Sequence, residues 1–144
     1  MILFSEDSRK WIKDIKYSKL LRNIDYTLEE HRGKRRPKVA IIDTGYDGKA
    51  SWLDNVTKLR LSQRGKNSEC FQNWMDFWKD EKQPRDDFGH GTLMLYTVTR
   101  IAPFADVCVA RIAGNSADLC QHPSETSENL AKVRNIDFRV KFNY

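Results

Sequence analysis

Two side chains in this sequence have the type and setting to do chemistry together. Asp43 follows Lys38-Val39-Ala40-Ile41-Ile42 and opens Asp43-Thr44-Gly45, and His90 lies within Gly89-His90-Gly91-Thr92. A carboxylate that accepts the Nδ1–H of an imidazole fixes the ring's tautomer. It also stabilises the imidazolium formed when the ring takes a proton, which acyl transfer requires of a general base. The glycines on both sides of His90 let the backbone turn tightly, and Thr92 can cap a following helix. A carboxylate at a strand end can also do no more than cap the next turn. The surrounding elements decide between these roles.

Lys38 to Asp43 is a short continuous apolar run ending in a polar residue, the pattern of a strand buried on both faces of a parallel sheet. Gly45 and Gly48 end it. Leu93 to Val98 carries no breaker and predicts a helix starting just after Gly91, which Pro103 cannot continue. Asp106 to Ile112 is a second apolar, β-branched run and again reads as a strand. Strand, helix and strand at this spacing predict a βαβ unit, hence a parallel sheet with a right-handed crossover. In such sheets functional groups gather at the carboxyl ends of strands. Asp43 sits at one of these ends, and His90 opens the helix.

Upstream, Trp11, Ile12, Ile15, Leu20, Leu21 and Ile24 recur at close to helical spacing and predict a helix over 8–31. Gly33 and the basic run from Arg32 to Lys38 break it and read as a solvated linker. From Ser51 to Arg85 the sequence is irregular and polar, with Trp74, Phe77 and Trp78 read as packing residues under a long loop. Beyond Gly114, Ser124, Thr126 and Ser127 are candidate caps for a helix carrying Leu130 and Val133. Ile136 to Tyr144 alternates apolar with polar residues and reads as a half-buried strand or an unpaired tail.

The motifs resemble those of the subtilisin-like serine proteases, the subtilases. Val39-Ala40-Ile41-Ile42-Asp43-Thr44-Gly45-Tyr46-Asp47 is similar to the segment around their catalytic Asp. Asp87-Phe88-Gly89-His90-Gly91-Thr92 is similar to the segment around their catalytic His. Ile101-Ala102-Pro103-Phe104-Ala105-Asp106-Val107 is similar to the Ala-Pro stretch before their next strand. The three stand in family order across residues 38–113, with the flavour of fungal intracellular subtilases. The resemblance implies an N-terminal helical segment and basic linker over 1–35, then a partial peptidase domain over 36–144. Its fold would be α/β, a partial subtilisin-like parallel sheet flanked by helices.

The implied activity is that of an endopeptidase working through an acyl-enzyme, with Asp43 orienting the imidazole and His90 acting as general base, then general acid. The family's oxyanion Asn and nucleophilic Ser lie much further along the chain, and no matching Ser motif occurs here. The expectation is a chain without the Ser-bearing half and inactive alone, cutting a peptide or protein substrate only when a C-terminal half completes it. Gly114-Asn115-Ser116-Ala117 is superficially similar to the family's Gly-Thr-Ser-Met-Ala. There the Ser opens a long buried helix, and Asp118, Gln121 and Pro123 argue against one here, so Ser116 is not expected to be the nucleophile. Leu93 stands where many relatives have His, a position outside the triad. The stretch between Asp43 and His90 is longer than in compact relatives, consistent with an inserted loop at 51–85. Calcium enters only because some subtilases bind it, with Asp47 as the residue in question, and no cofactor is otherwise expected.

At 144 residues the chain is one domain or part of one, and its 40% apolar and 11% aromatic content can support a core. The net charge of +5 is spread along the chain, and no nucleic-acid partner is expected. No apolar stretch approaches the ~20 residues of a membrane span. Met1-Ile2-Leu3-Phe4 runs directly into Ser5-Glu6-Asp7, unlike a signal peptide. Cys70, Cys108 and Cys120 are odd in number with no disulfide spacing, so the expected location is intracellular. Cys108 reads as a core residue, and His31 and His122 as solvated. Asp86 and Asp87 read as a charged loop, because no metal-ligand spacing surrounds them. Asp43-Thr44-Gly45 is also the signature of retroviral-type aspartic proteases, in which two chains each supply an Asp. That alternative wants an all-β chain and leaves the His motif unexplained. The other alternative is a degenerate subtilase domain retained as an interaction module.

Overall fold

The two continuous apolar runs form strands and the run from Leu93 to Val98 lies within a helix, as seen in a computed structural model that describes residues 5–16, 37–53, 74–102 and 105–134. Helix α1 spans Glu6–Lys16, with Glu6 and Asp7 placing acid in its first turn, where the helix dipole favours it. Strand β1 is Lys38–Asp43, β2 is Trp74–Asp76 and β3 is Asp106–Arg111. Helix α2, His90–Ile101, joins β2 to β3. Helices α3, Ser116–Gln121, and α4, Pro123–Arg134, follow β3. Among the described residues all pairing is parallel in the order β1-β3-β2, so β3 is central. The register sets Ile41 opposite Val109 and Asp43 opposite Arg111, with Asp76 opposite Arg111 on the other side. The fold is therefore a small parallel sheet flanked by helices, a mixed α/β architecture and not the all-β one that the aspartic-protease alternative needs.

Alternation along β3 divides the core in two. Val107 and Val109 join Ile41, Tyr46, Leu53 and Leu95 in one cluster, which Trp52, Trp74 and Val98 pack against. Ala110 and Ile112 join Val133 and Phe77 in a second cluster. Leu95 brings α2 to the first cluster and Val133 brings α4 to the second, so β3 is sandwiched. Burying each Val or Leu side chain contributes about 1.5–3 kcal/mol. Helix α4 shows the expected helical stripe, because its buried residues Thr126, Asn129 and Val133 share one face. Asn129 donates from Nδ2 to the Ile112 carbonyl at 3.3 Å, which docks the helix against the end of β3.

Several expectations need correcting. β1 is not buried on both faces: Ile41 is buried but Ile42 is 41% exposed, because β1 is an outer strand of the described sheet and α2 covers one side of it. Two-sided burial belongs to β3. Trp74, read as part of a long loop, begins β2. Three residues are too few to display a strand period, and β2 exists because β3 offers it a parallel edge. The helix that opens at Ser116 is not the long buried one of the family, as expected: it is six residues long and buries none of them. Asn115 and Asp118 form a capping box that sustains it, with Asp118 N–H donating to Asn115 Oδ1 at 3.0 Å. Pro123, whose missing N–H is harmless at a first helical position, opens α4, so Ser124, Thr126 and Ser127 lie inside the helix and do not cap it. Leu130 is 42% exposed.

The helix predicted over 8–31 is described only as far as Lys16, and the segment from 17 to 36, with His31, most of the basic run and the 35/36 boundary, lies outside the described residues. The same holds for 54–73, with Cys70, and for the alternating tail after Arg134. Cys108 is fully buried, and His122 is exposed beside Trp78. No described helix is long and apolar enough to cross a membrane.

Candidate active site

Asp43 ends β1 at its carboxyl end and His90 is the first residue of α2. In β1's register Asp43 shares its face with Ile41, the side that packs against α2, so strand and helix deliver the two groups to one place. Nδ1 of His90 lies 2.8 Å from Asp43 Oδ1 and 2.9 Å from Oδ2. A carboxylate only accepts, so the contact assigns the proton to Nδ1 and leaves the lone pair of the neutral ring on Nε2. Asp43 Oδ1 also accepts the Thr44 N–H at 2.7 Å, which holds the carboxylate against its own backbone. The Asp43 side chain is 14% exposed and that of His90 54%, so the acid is sheltered while the ring faces solvent.

The glycines of the two motifs explain how these groups come so close. Gly89 precedes α2 with φ +92° and Gly45 has φ +106°, both in the left-handed region that favours glycine. Gly91 serves a different purpose. A Cβ there would overlap the carbonyl of Gly45, so the motifs meet backbone to backbone. Thr92 is not the cap of α2, contrary to expectation. Gly89 occupies the cap position with no side-chain cap bond, and Thr92 is committed elsewhere.

Its partner is Asp86, which the sequence suggested was only a charged loop residue. Asp86 Oδ2 accepts from Thr92 N at 2.8 Å and from Thr92 Oγ1 at 2.6 Å. Its Oδ1 accepts from Thr44 Oγ1 at 2.9 Å, Gly89 N at 2.8 Å and Phe88 N at 3.2 Å. Thr44 Oγ1 in turn accepts from Gly91 N at 3.0 Å, and Thr92 Oγ1 from Asp47 N at 2.9 Å. Burial pulls the Asp86 carboxyl upward, but the donors from Thr92, Gly89 and Thr44 together outweigh it and leave it below its ordinary value. One local signal was available, because Asp followed three residues later by the glycine that begins a helix is a turn and cap pattern.

Behind the pair, Arg111 at the end of β3 is buried. It donates from Nη1 to Asp76 Oδ2 at 3.2 Å, and its Nη2 lies 3.6 Å from Asp87. Asp76 also accepts the backbone N–H groups of Trp78, Lys79 and Glu81. Arg85 Nε donates to both oxygens of Asp87, at 2.9 and 2.8 Å. Asp47 accepts from Lys49 N, and among the described residues no group of three or more His, Cys, Asp or Glu could hold a metal ion.

A cavity of about 190 Å³ adjoins the pair. Ile42, Phe88, Ile112 and Leu119 give it an apolar lining, and Asp43, His90 and Ser116 are on its wall. No hydrogen bond joins the Ser116 hydroxyl to the imidazole. The arrangement can take a proton at Nε2 and stabilise the resulting cation beside an apolar space. No protein-family model matches this chain, and neither a curated protein nor a solved structure does.

Proposed function

We propose that Asp43 and His90 are the orienting carboxylate and the general base of a subtilisin-like serine endopeptidase site, Asp43 orienting the ring and His90 moving the proton. The observation that supports this is the bond between His90 Nδ1 and Asp43, made by two motifs that stand in subtilase order on a parallel sheet. In this reading Nε2 takes the proton of a seryl hydroxyl as it attacks the peptide carbonyl, then returns it to the leaving amine. The apolar cavity beside the ring accepts an apolar side chain of the substrate near the scissile bond.

The sequence has no Ser in the family's Gly-Thr-Ser-Met-Ala setting, so this chain is expected to hydrolyse peptides little or not at all. A fluorophosphonate probe tests this directly. No labelling is expected of this chain, whereas labelling is expected of any longer product of the same transcript that carries the Ser motif, and His90→Ala should abolish it. Labelling of this chain that His90→Ala and Ser116→Ala both remove would overturn the assignment of Ser116 as a bystander. Exposed Ile42, Phe88 and Leu119 around the cavity favour a second reading, in which the cleft holds a peptide without cutting it. Saturable binding of an apolar peptide that remains intact, lost in Leu119→Asp, is the result that would select it.

A further inference from the structure

We propose that Asp86 is a positioning residue for the Asp43–His90 pair, clamping the residue after Asp43 to the first turn of α2 so that the imidazole is held as its Nδ1–H tautomer. The proposal rests on the proton-transfer role given to that pair above, although its test does not require turnover.

The argument begins with what the pair lacks. A half-exposed imidazole facing a carboxylate competes with water for the same bond, and such contacts hold geometry weakly by themselves. Two other devices could fix the ring: close packing around it, or rigid backbones on both sides. His90 is exposed, which leaves the backbones. The residue beside Asp43 is Thr44 and the residue two beyond His90 is Thr92, both 5% exposed, and Asp86 accepts a hydrogen bond from the hydroxyl of each. Each threonine hydroxyl accepts a backbone N–H in return, from Gly91 and Asp47 respectively, so each both donates and accepts. One carboxylate thus fastens the exit of β1, the turn at Phe88 and Gly89, and the start of α2.

Only an ionised carboxylate fits this cradle. Oδ1 faces two backbone N–H groups and Oδ2 faces one. An amide at this position must turn its NH₂ toward one of these fixed donors, whichever way it is flipped, because backbone N–H groups cannot reverse as a hydroxyl can. Asp86→Asn is therefore nearly isosteric yet breaks the clamp. At the N-terminus of α2 it also removes the negative charge that the unpaired N–H groups favour.

The test is the ring tautomer of His90, read by ¹⁵N NMR of the full chain at a pH where the ring is neutral. The native chain should show the Nδ1–H form, and Asp43→Asn should lose it in favour of Nε2–H. Asp86→Asn should move the ring in the same direction. Thr44→Val should do so too, since it deletes the hydroxyl that links Asp86 to Gly91, and it serves if Asp86→Asn does not fold. Thr44→Ser keeps that hydroxyl and should keep the native tautomer. Asp80→Asn makes the same charge change in the same loop at an exposed residue and should also keep it. A freely solvated ring itself favours Nε2–H, so the shift is read only in variants whose backbone amide spectrum shows them folded. If Asp86→Asn or a folded Thr44→Val retains the native ring while Asp43→Asn does not, the clamp is refuted and the pair stands. If Asp43→Asn leaves the tautomer unchanged, the pair itself is refuted and the clamp with it.

Discussion

At the scale of single residues, a methyl group is enough to measure how tightly the two motifs are joined. Gly91→Ala places a Cβ against the carbonyl of Gly45, a backbone atom that cannot give way without separating β1 from α2. Overpacking of this kind costs about 1–3 kcal/mol. Gly89→Ala, in the same motif, meets nothing near its Cβ and suffers only the positive φ, so about 1 kcal/mol is expected. Urea unfolding of the two variants should rank them in that order, and equal losses would contradict the backbone contact. The acid limb of stability tests Asp86. Its folded pKa lies below the unfolded value of about 3.9, so its contribution is complete above that pH and disappears as pH falls through the lower folded value. The stability gap between the native chain and Asp86→Asn should therefore be widest near neutrality and close in acid. A gap independent of pH would rule out the ionised carboxylate as its source.

At the scale of elements, Arg111 ties the end of β3 to β2 and to the loop before α2, and the two sides of its ion pair are not equivalent. Asp76→Ala leaves the buried guanidinium, among the described residues, with only Asp87 as ion-pair partner, whose side chain is 56% exposed, and removing one partner of a buried pair costs about 3–5 kcal/mol. Arg111→Met leaves Asp76 with three backbone N–H donors and should cost less, as chemical denaturation of both variants would reveal. Sequence pattern located elements unevenly for physical reasons. β1 and β3 were legible because apolar runs of this length have few other uses, and α2 because nothing from Leu93 to Val98 breaks a helix. The short strand at Trp74 had no period to read, and its existence depends on an edge that Val109, Ala110 and Arg111 contribute much later in the chain. Asp43 and His90 could be paired from their motifs alone. Asp86 could not, because its meaning lies in Thr44, 42 residues earlier, and that contact exists only after folding.

At the scale of the whole molecule, protection should follow the sandwich around β3. Its residues from Val107 to Arg111 are at most 2% exposed and those from Val109 to Arg111 pair on both sides, whereas α3 buries nothing. Amide exchange is expected to be slowest in β3, intermediate in α2 and fastest in α3, and an α3 as slow as β3 would contradict this layout. The strand order has a further consequence for how the chain is made. Among the described strands, β1 and β2 are not neighbours, and each finds its hydrogen-bonding partner in the strand synthesised after both. While the nascent polypeptide leaves the ribosome, the segment bearing the acid must wait roughly seventy residues for its ladder partner, and all that time its backbone edge remains open to chaperones or to other chains.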